Sequence, residues 1–246
     1  QLDLNLINEA VDGSRRSLAR TLSLIENGEI SIEQIRQVLN IEGNPSDSKS
    51  WNSLAITGAP GVGKSCLIDK LLSIWANSGL KIALLAIDPS SPRTGGALLG
   101  DRVRITSVDD EELKDKIYIR SIATRKSSGN VPLIVADMIE FLHIAKWDRV
   151  IVETVGSGQS EVRCAAIADR IVVIEGPARG DGVQAEKAGL LELADAVIVN
   201  KSDLSGAEKH AEELQESFEL GLGDAPPVLL TSALNETGIT EAANVL

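Results

Sequence analysis

The chain has 246 residues and is 43% hydrophobic and 24% charged, which suits one large domain or a domain with a small appendage. It carries 24 Lys and Arg against 36 Asp and Glu, and the resulting charge of −12 argues against nucleic acid or an anionic membrane surface as partner. The two cysteines, Cys66 and Cys164, exclude a disulfide framework or a zinc cluster, and no apolar run approaches the roughly 20 residues of a membrane span. We therefore expect a reducing compartment, which is the cytoplasm or, in a eukaryote, the mitochondrial matrix.

The first fifty residues differ from the rest and are predicted to form an N-terminal helical segment. Apolar residues recur at helical spacing from about residue 5 to 27, which predicts one helix that ends at Asn27-Gly28. Ser31 to Gln34 has the form of a capping box and predicts a short second helix. Residues 43–50 are polar and turn-rich and are predicted to be a linker, so we expect a helical hairpin (1–50) packed on a main domain (51–246).

The main domain is predicted to have an α/β fold with a mostly parallel sheet and helices on both faces. Seven short, uninterrupted apolar runs predict strands that are covered on both sides; they span residues 53–57, 82–87, 117–122, 149–154, 170–174, 196–200 and 228–231. Helical patterns lie between them, at 64–77, 131–146, 182–193 and 207–219. Strand and helix alternate, which is typical of such a sheet, and ligands bind at the carboxyl ends of its strands.

A glycine-rich loop lies between the first predicted strand of this domain and the helix after it. It reads Gly58-Ala59-Pro60-Gly61-Val62-Gly63-Lys64-Ser65 and fits the pattern GxxxxGK[ST]. The glycines let backbone N–H groups turn toward a phosphate, and the helix N-terminus adds positive potential. Lys64 is predicted to reach the outer phosphates and the Ser65 hydroxyl to ligate Mg²⁺, so the domain is predicted to be a P-loop NTPase.

A second motif predicts which base the nucleotide carries. Asn200-Lys201-Ser202-Asp203 fits NKxD, and the Asp203 carboxylate can accept hydrogen bonds from the two N–H groups of guanine's Watson–Crick edge, which adenine lacks. Lys201 can lie over the base, and Asn200 can brace the loop. A backbone N–H of Thr231-Ser232-Ala233, after the last predicted strand, is expected to meet guanine O6.

Acidic residues end two further predicted strands. Glu153 is expected to hold Mg²⁺ or its waters. Gly156 comes three residues later, and its N–H is expected to contact the γ-phosphate. Asp88 ends the strand 82–87, and a long loop rich in Pro, Gly and Ser leads from it to Asp101. Asp88 and Asp101 are predicted to coordinate the metal or to position water.

Several longer strings resemble the MeaB/ArgK family, the GTPase chaperones of cobalamin-dependent acyl-CoA mutases. They are GAPGVGKS (58–65), DPSSPRTGGALLGDR (88–102), ETVGSGQSE (153–161), ELADAVIVNKSD (192–203) and TSALNETGI (231–239). The second string is more specific than the P-loop, because GTPases in general do not carry it. The resemblance implies a SIMIBI-type P-loop fold, GTP or GDP with Mg²⁺ as ligands, and slow hydrolysis of GTP. It also implies a partner, methylmalonyl-CoA mutase or a relative, and a GTPase that gates the loading of cobalamin into that mutase or the protection of the loaded enzyme.

The same resemblance assigns roles to residues. It places Lys64, Asp88 and Glu153 in catalysis, Ser65, Asp88, Asp101 and Glu153 at the metal, and Gly58, Gly61, Gly63, Lys64, Ser65, Asn200, Lys201, Asp203 and Ser232 at the nucleotide. Neighbouring residues of these motifs, Ala59, Pro60, Val62, Cys66, Gly156, Ala233 and Leu234, are assigned to the nucleotide site as well. Gln159 and Glu161 would belong to one switch, and residues 180–187 to another that answers to the mutase.

Two questions stay open at this level. A kinase or transport ATPase linked to amino acids, an older label on the ArgK side of the family, is the alternative function, and NKSD argues against it because an ATP enzyme has no use for a guanine-reading carboxylate. We expect the family's C-terminal dimerisation arm to be absent, since the chain stops at Leu246 soon after the guanine motif, so a homodimer is left open.

Overall fold

The structure is a computed structural model that describes residues 3–42, 52–89, 105–124, 131–154, 159–177, 185–221 and 223–246; for 88–89, 123–124, 159–161 and 185–188 it describes only the backbone. The helices are α1 (Leu4–Val11), α2 (Arg15–Glu26), α3 (Ile32–Leu39), α4 (Lys64–Asn77), α5 (Val131–Ile144), α6 (Gln159–Ala166), α7 (Ala185–Glu192), α8 (Ala207–Glu219) and α9 (Ile239–Val245), with a 3-10 turn at Thr106–Val108. The strands are β1 (Ser53–Gly58), β2 (Ile82–Pro89), β3 (Ile117–Thr124), β4 (Arg149–Thr154), β5 (Arg170–Glu175), β6 (Ala196–Val199) and β7 (Val228–Leu230).

The seven strands form one parallel sheet in the order β3-β2-β4-β1-β5-β6-β7. The predicted α/β class and all seven predicted strands are therefore confirmed. Along each strand, successive apolar side chains face opposite layers of helices, as the alternation of side chains requires. Leu54 and Ile56 of β1 pack toward α4 and α9, whereas Ala55 packs toward the helices of the other face.

The N-terminal helices form part of one helical layer of this sheet. Ile7, Leu22 and Ile35 are buried in the same cluster as α5 and the strands β2 and β4. Arg120 of β3 donates to Glu26 of α2 at 2.5 Å, which ties this layer to the edge of the sheet. The predicted packing of the segment on the main domain is present, and the predicted linker at 43–50 lies outside the described residues.

The predicted helix at about 5–27 is wrong as a single element, because α1 and α2 are separated by Asp12-Gly13-Ser14. Gly13 has φ +106°, a left-handed conformation that an L side chain rarely adopts. The Ser14 side chain then accepts the N–H of Ser17 and caps α2. The predicted capping box of α3 is confirmed, since Ser31 and Gln34 make both of its hydrogen bonds.

Other boundaries differ by a few residues. α5 ends at Ile144 rather than at 146, and α7 spans Ala185–Glu192 within the predicted 182–193. Two helices, α6 and α9, were not predicted. In the described part of the chain, no helix has the length and apolar character that crossing a membrane requires.

Candidate functional site

The predicted motifs meet at the carboxyl edge of the sheet because neighbouring parallel strands end there. β1 lies between β4 and β5, and β6 and β7 follow on the β5 side. Gly58 ends β1, Glu153 lies near the end of β4, and Asn200 directly follows β6. The sheet order, which the sequence did not predict, places the glycine-rich loop between the acidic element and the NKSD element.

The glycine-rich loop has a backbone geometry that L side chains rarely adopt. Gly58, Gly61 and Gly63 all have positive φ, at +153°, +82° and +88°. A Cβ on Gly58 would lie 2.2 Å from the Ile174 carbonyl oxygen of β5. The loop can therefore leave β1 in this direction only without a side chain at that position, and it delivers the chain to the N-terminus of α4, where free N–H groups favour an anion.

Lys64 is the first residue of α4, and its side chain is turned back over the loop. It is only 6% exposed, and its Nζ donates to the carbonyl oxygens of Gly58 at 2.7 Å and Ala59 at 3.0 Å. Burial lowers the pKa of the Lys64 ammonium from its ordinary value, and the nearby Glu153 carboxylate opposes that shift. A buried cation that is held by neutral carbonyls would gain from an anionic partner, which fits the predicted phosphate contact.

Ser65 and Glu153 come together from two different elements. The Ser65 hydroxyl at the start of α4 donates to Glu153 Oε1 near the end of β4 at 3.3 Å. A hydroxyl and a carboxylate are hard oxygen donors of the type that Mg²⁺ prefers. These two predicted metal ligands, with the Lys64 ammonium beside them, therefore form a donor set that fits Mg²⁺ bound together with phosphates.

Asn200 joins the end of β6 to the glycine-rich loop. It is 2% exposed, and its Nδ2 donates to the Val62 carbonyl at 2.9 Å. Its Oδ1 accepts from the Thr231 hydroxyl at 3.1 Å and from the Ala233 N–H at 3.2 Å. A Cβ on Gly63 would lie 2.6 Å from Asn200 Nδ2, so this approach needs glycine there. One buried amide thus connects three predicted parts of the site.

Lys201 and Asp203 have separate partners. Lys201 adopts a left-handed backbone conformation, with φ +62°, and its Nζ donates to the Gly61 carbonyl at 2.7 Å. Asp203 is exposed, and its Oδ1 accepts from the buried Ser232 hydroxyl at 2.5 Å. The Ser232 contact orients the carboxylate while leaving its second oxygen and its exposed edge for a ligand.

The turn after β7 differs from the prediction in one detail. The Ala233 N–H is donated to Asn200 and the Ser232 N–H to the Thr237 carbonyl, so both amides of this turn are used within the protein instead of facing a base. Cys66, which was assigned to the nucleotide site, is exposed, whereas Cys164 is buried.

Some predicted residues fall outside what the structure describes. Asp101, Gly156 and residues 180–184 lie outside the described residues, as do the side chains of Asp88, Gln159, Glu161 and Lys187. Only the backbone of Asp88 is described, and it is the second-last residue of β2 rather than a residue after the strand. Of the other predicted site residues, Pro60 lies in the exposed part of the loop and Leu234 is 82% exposed in the turn after Ser232.

The sequence analysis missed one residue with a part in this arrangement, Asp69, and the side-chain role of another, Thr231, which it named only for its backbone. The Thr231 hydroxyl, fully buried, orients the Asn200 amide, although its place next to Ser232 was a usable signal. Asp69 of α4 accepts three hydrogen bonds from Thr106 and Ser107, and no local pattern in the sequence indicates such a contact between distant segments.

The family profile described as methylmalonyl Co-A mutase-associated GTPase MeaB matches residues 18–246. A Pyrococcus abyssi protein that is classed as a GTPase is 41% identical over 243 residues, which cover 96% of this chain and 72% of the relative. GTPase ArgK of Escherichia coli is 32% identical over 260 residues, covering 96% and 75%. The fused isobutyryl-CoA mutase of Cupriavidus metallidurans is 32% identical over 245 residues, covering 96% of this chain but 22% of that much longer protein.

Solved structures agree with the fold. The crystal structure of an LAO/AO transport system kinase superposes with a TM-score of 0.74 at 24% identity, covering 99% of this chain and 74% of that one. HypB from Helicobacter pylori, in complex with nickel, gives 0.53 at 18% identity, covering 89% and 92%. At such low identities the structural similarity shows the P-loop NTPase fold and no more. The assignment as a GTPase rests on the family profile and the sequence relatives. The profile match and the relatives together show that the chain belongs to the MeaB family of GTPases.

Proposed function

We propose that this protein binds GTP and Mg²⁺ at the carboxyl edge of its sheet and acts as a GTP-hydrolysing chaperone of a cobalamin-dependent acyl-CoA mutase. The observation that carries the nucleotide part is the hydrogen-bond network of Asn200. It links the glycine-rich loop, at Val62, to the turn that contains Thr231 and Ala233. Two motifs that are distant in sequence are thus held next to each other, as a site for a single nucleotide requires.

In this proposal the phosphates lie on the glycine-rich loop. The amides of the loop and the N-terminus of α4 donate to them, and Lys64 leaves the Gly58 and Ala59 carbonyls to pair with the outer phosphates. Ser65 and Glu153 hold Mg²⁺ or its waters, with Asp88 and Asp101 as further ligands. The ion would supply neutralisation of the charge that develops on the phosphate oxygens.

The guanine base lies beyond Lys201 in this proposal. Asp203 accepts the two N–H groups of the guanine edge with its two oxygens, one of which also accepts the Ser232 hydroxyl. The Ala233 N–H already donates to Asn200. The hydrogen bond to guanine O6 therefore comes from the next backbone N–H of the turn, that of Leu234. Adenine would leave the Asp203 carboxylate without its donors, which is the basis of the expected selectivity.

Hydrolysis is water attack on the γ-phosphate, with Lys64 and the loop amides stabilising the charge of the transition state. The sequence has no glutamine directly after the ETVG motif to position the water. We therefore expect slow turnover by the isolated protein and faster turnover with its partner. A fast rate for the isolated chain would count against a gating role.

The mutase part of the proposal is supported by relatives. The matching family is described as methylmalonyl Co-A mutase-associated, and one relative is a fused isobutyryl-CoA mutase in which the similar region is 22% of the chain. A GTPase that is covalently joined to a mutase in one organism is a natural model for a non-covalent pair in another. The proposed role is to gate the loading of cobalamin or to protect the loaded mutase.

Calorimetry tests the nucleotide part. Titrating GDP and ADP into the protein with Mg²⁺ should give binding of GDP that is at least about 100-fold tighter than that of ADP. Lys64→Ala should abolish the binding of GTP, and Lys70→Ala, a lysine in the same helix that pairs with Glu236, should leave it within about twofold. Absence of heat with both nucleotides would overturn the proposal.

A second experiment tests the mutase part. The protein, loaded with a non-hydrolysable GTP analogue, should retain purified methylmalonyl-CoA mutase or an isobutyryl-type mutase on a column, and the GDP-loaded protein should retain less. GTP turnover should rise when that mutase is added. Retention of neither enzyme in either nucleotide state would contradict the assignment of the partner.

The alternative, an ATP-dependent kinase linked to amino-acid transport, has one observation in its favour, the superposition on the LAO/AO transport system kinase. That likeness concerns the fold. The Asp203–Ser232 contact instead supports a site for guanine. Equal affinity for ADP and GDP in the calorimetric experiment would favour the alternative.

A further inference from the structure

A cavity of about 160 Å³ lies at the amino edge of the sheet, opposite the edge that carries the proposed nucleotide site. Three of its lining residues come shortly before neighbouring strands: Lys81 before β2, Asp115 before β3 and Trp147 before β4. The amino ends of adjacent parallel strands meet at one edge, which brings these side chains together. Residues of α1 and α2 line the rest, so the cavity lies between the N-terminal helices and the sheet.

Arg15, at the start of α2, is one of two cations that line this cavity. Its guanidinium donates to the carbonyl oxygens of Lys114 and Ile117, and the guanidinium carbon lies 5.8 Å from the ring centroids of both Tyr118 and Trp147. An arginine has five N–H donors, so others remain for a ligand. Because the carbonyls and rings already fix the guanidinium, a ligand would bind it without ordering the side chain first.

Lys81 is the second cation. Its backbone N–H donates to the Asp148 carboxylate at 2.8 Å, and its ammonium lies 4.8 Å from the ring centroid of Trp147. Among the residues that the structure describes, the ammonium has no hydrogen bond, and neither it nor the Arg15 guanidinium has an ion pair. Two positive charges thus face one cavity and repel each other. A negative charge placed between them would turn this repulsion into attraction.

The other walls of the cavity limit what carries that negative charge. Ala10, Leu18 and Trp147 are buried and offer apolar surface, which suits a hydrocarbon group. The volume is below the roughly 300–1,000 Å³ of pockets for drug-sized ligands, so a nucleotide or a peptide is too large. Asp115 is exposed and lines the same cavity, and its carboxylate would repel a second negative charge on the ligand. These features fit a short hydrocarbon with a single anionic group.

We propose that this cavity binds a small aliphatic monocarboxylate. Arg15 and Lys81 hold the carboxylate, whose planar pair of oxygens matches the fork of a guanidinium, and the hydrocarbon part packs on Leu18 and Trp147. The inference goes beyond the proposed function and does not rest on it. Because the cavity lies at the opposite edge of the sheet, the monocarboxylate and a nucleotide bind at the same time.

Nuclear magnetic resonance tests the proposal with butyrate as the probe. Butyrate is titrated at constant ionic strength into the ¹⁵N-labelled protein, and the indole N–H resonances of the three tryptophans are followed. The Trp147 resonance, identified by Trp147→Phe, should shift with half-saturation at about 1 mM. The Trp75 indole donates to Ala243 on the other face of the sheet and should not respond. Succinate, with its second negative charge, should bind about tenfold more weakly than butyrate.

Variants assign the effect to the charged residues of the cavity. Lys81→Gln should weaken butyrate about tenfold, and Lys81→Arg, which keeps the charge, should stay within about threefold of the wild type. Lys209→Gln removes the same charge from an exposed position on α8 and should leave the affinity for butyrate within about twofold. Asp115→Asn should bring the affinity for succinate close to that for butyrate.

The outcomes separate this site from the nucleotide site. A shift of the Trp147 resonance that Lys81→Gln weakens supports the inference. An unmoved Trp147 resonance, or an affinity for butyrate that Lys81→Gln leaves unchanged, overturns it. Competition between butyrate and GDP with Mg²⁺ would place butyrate at the glycine-rich loop and overturn it as well. Failure of the protein to bind GDP would instead overturn the proposed function and leave this inference intact.

Discussion

The two ends of the proposed nucleotide site are built differently. At the base end, Asn200, Thr231 and Ser232 are almost completely buried, and their hydrogen bonds join groups from different segments of the chain. At the phosphate end, the Lys64 ammonium is held by two carbonyls of the loop itself. Those two bonds have to be exchanged when a phosphate arrives.

This difference has an energetic consequence. A base end that keeps its internal hydrogen bonds binds its ligand without rearranging, so its groups contribute to affinity whether or not a metal is present. The phosphate end exchanges protein contacts for ligand and metal contacts, so its groups contribute only when those arrive. Substitutions at the two ends should therefore differ in how far their effects depend on Mg²⁺.

The largest effect is expected at the base end, from Asp203→Asn. The amide presents a donor where the guanine edge also presents donors, so the affinity for GDP should fall by about 100-fold and preference should shift toward xanthosine diphosphate. Calorimetry with both nucleotides, in Mg²⁺ and in EDTA, measures this. The loss should be the same under both conditions.

Asp224→Asn provides the matched control, since it changes an exposed aspartate outside the site in the same way. It should leave both affinities unchanged. Retained selectivity for GDP in Asp203→Asn would show that this carboxylate does not read the base.

A smaller effect, and one that depends on metal, is expected from Glu153→Gln at the phosphate end. The amide keeps the size of the side chain but removes its charge, so the Mg²⁺ concentration needed to retain the nucleotide should rise by about tenfold. The affinity for GDP in EDTA should stay within about twofold or improve slightly, because a negative charge near the phosphates is lost. A large drop in EDTA would contradict the division between the two ends.

The smallest effect is expected from Thr231→Val, which removes a buried hydroxyl and keeps the shape of the side chain. Asn200 Oδ1 would keep the Ala233 N–H but lose its second donor, at a cost of about 1 kcal/mol, or about fivefold in GDP affinity. Thr231→Ser should restore most of this affinity. If Thr231→Val and Thr231→Ser lower the affinity for GDP equally, the hydroxyl of Thr231 does not by itself account for the effect, and packing of the side chain matters at this position.

Much of the fold could be predicted from local patterns. Strands that are covered on both faces have to be continuously apolar, and all seven were found in this way, as were the bounds of α4 and α8. The helix at 5–27 was predicted as one element because its apolar spacing continues across the break, although Gly13 and Ser14 are the usual signals for a turn and a cap. Periodicity alone does not register a break that preserves the buried face.

The helices α6 and α9 could not be predicted in the same way. Each has eight residues or fewer, which is too short for a clear helical period. α9 depends on tertiary packing: Ala243 accepts the indole N–H of Trp75 from α4 at 3.0 Å, and Ile239 and Ala242 are buried against that helix. Short helices of this kind are stabilised mainly by what they pack on.

The sequence by itself determined which residue types stand at the ends of which strands, and hence a P-loop, a strand-terminal acid and an NKSD motif on a parallel sheet. It could do so because glycine conformations, helix N-termini and buried strands are local properties of the chain. The tertiary structure alone decided that Ser65 meets Glu153, that Asn200 reaches Val62 and that Asp69 holds Ser107. Those contacts join segments between 38 and 138 residues apart, and only the packing of strands, helices and loops in the fold brings such segments within the length of a hydrogen bond.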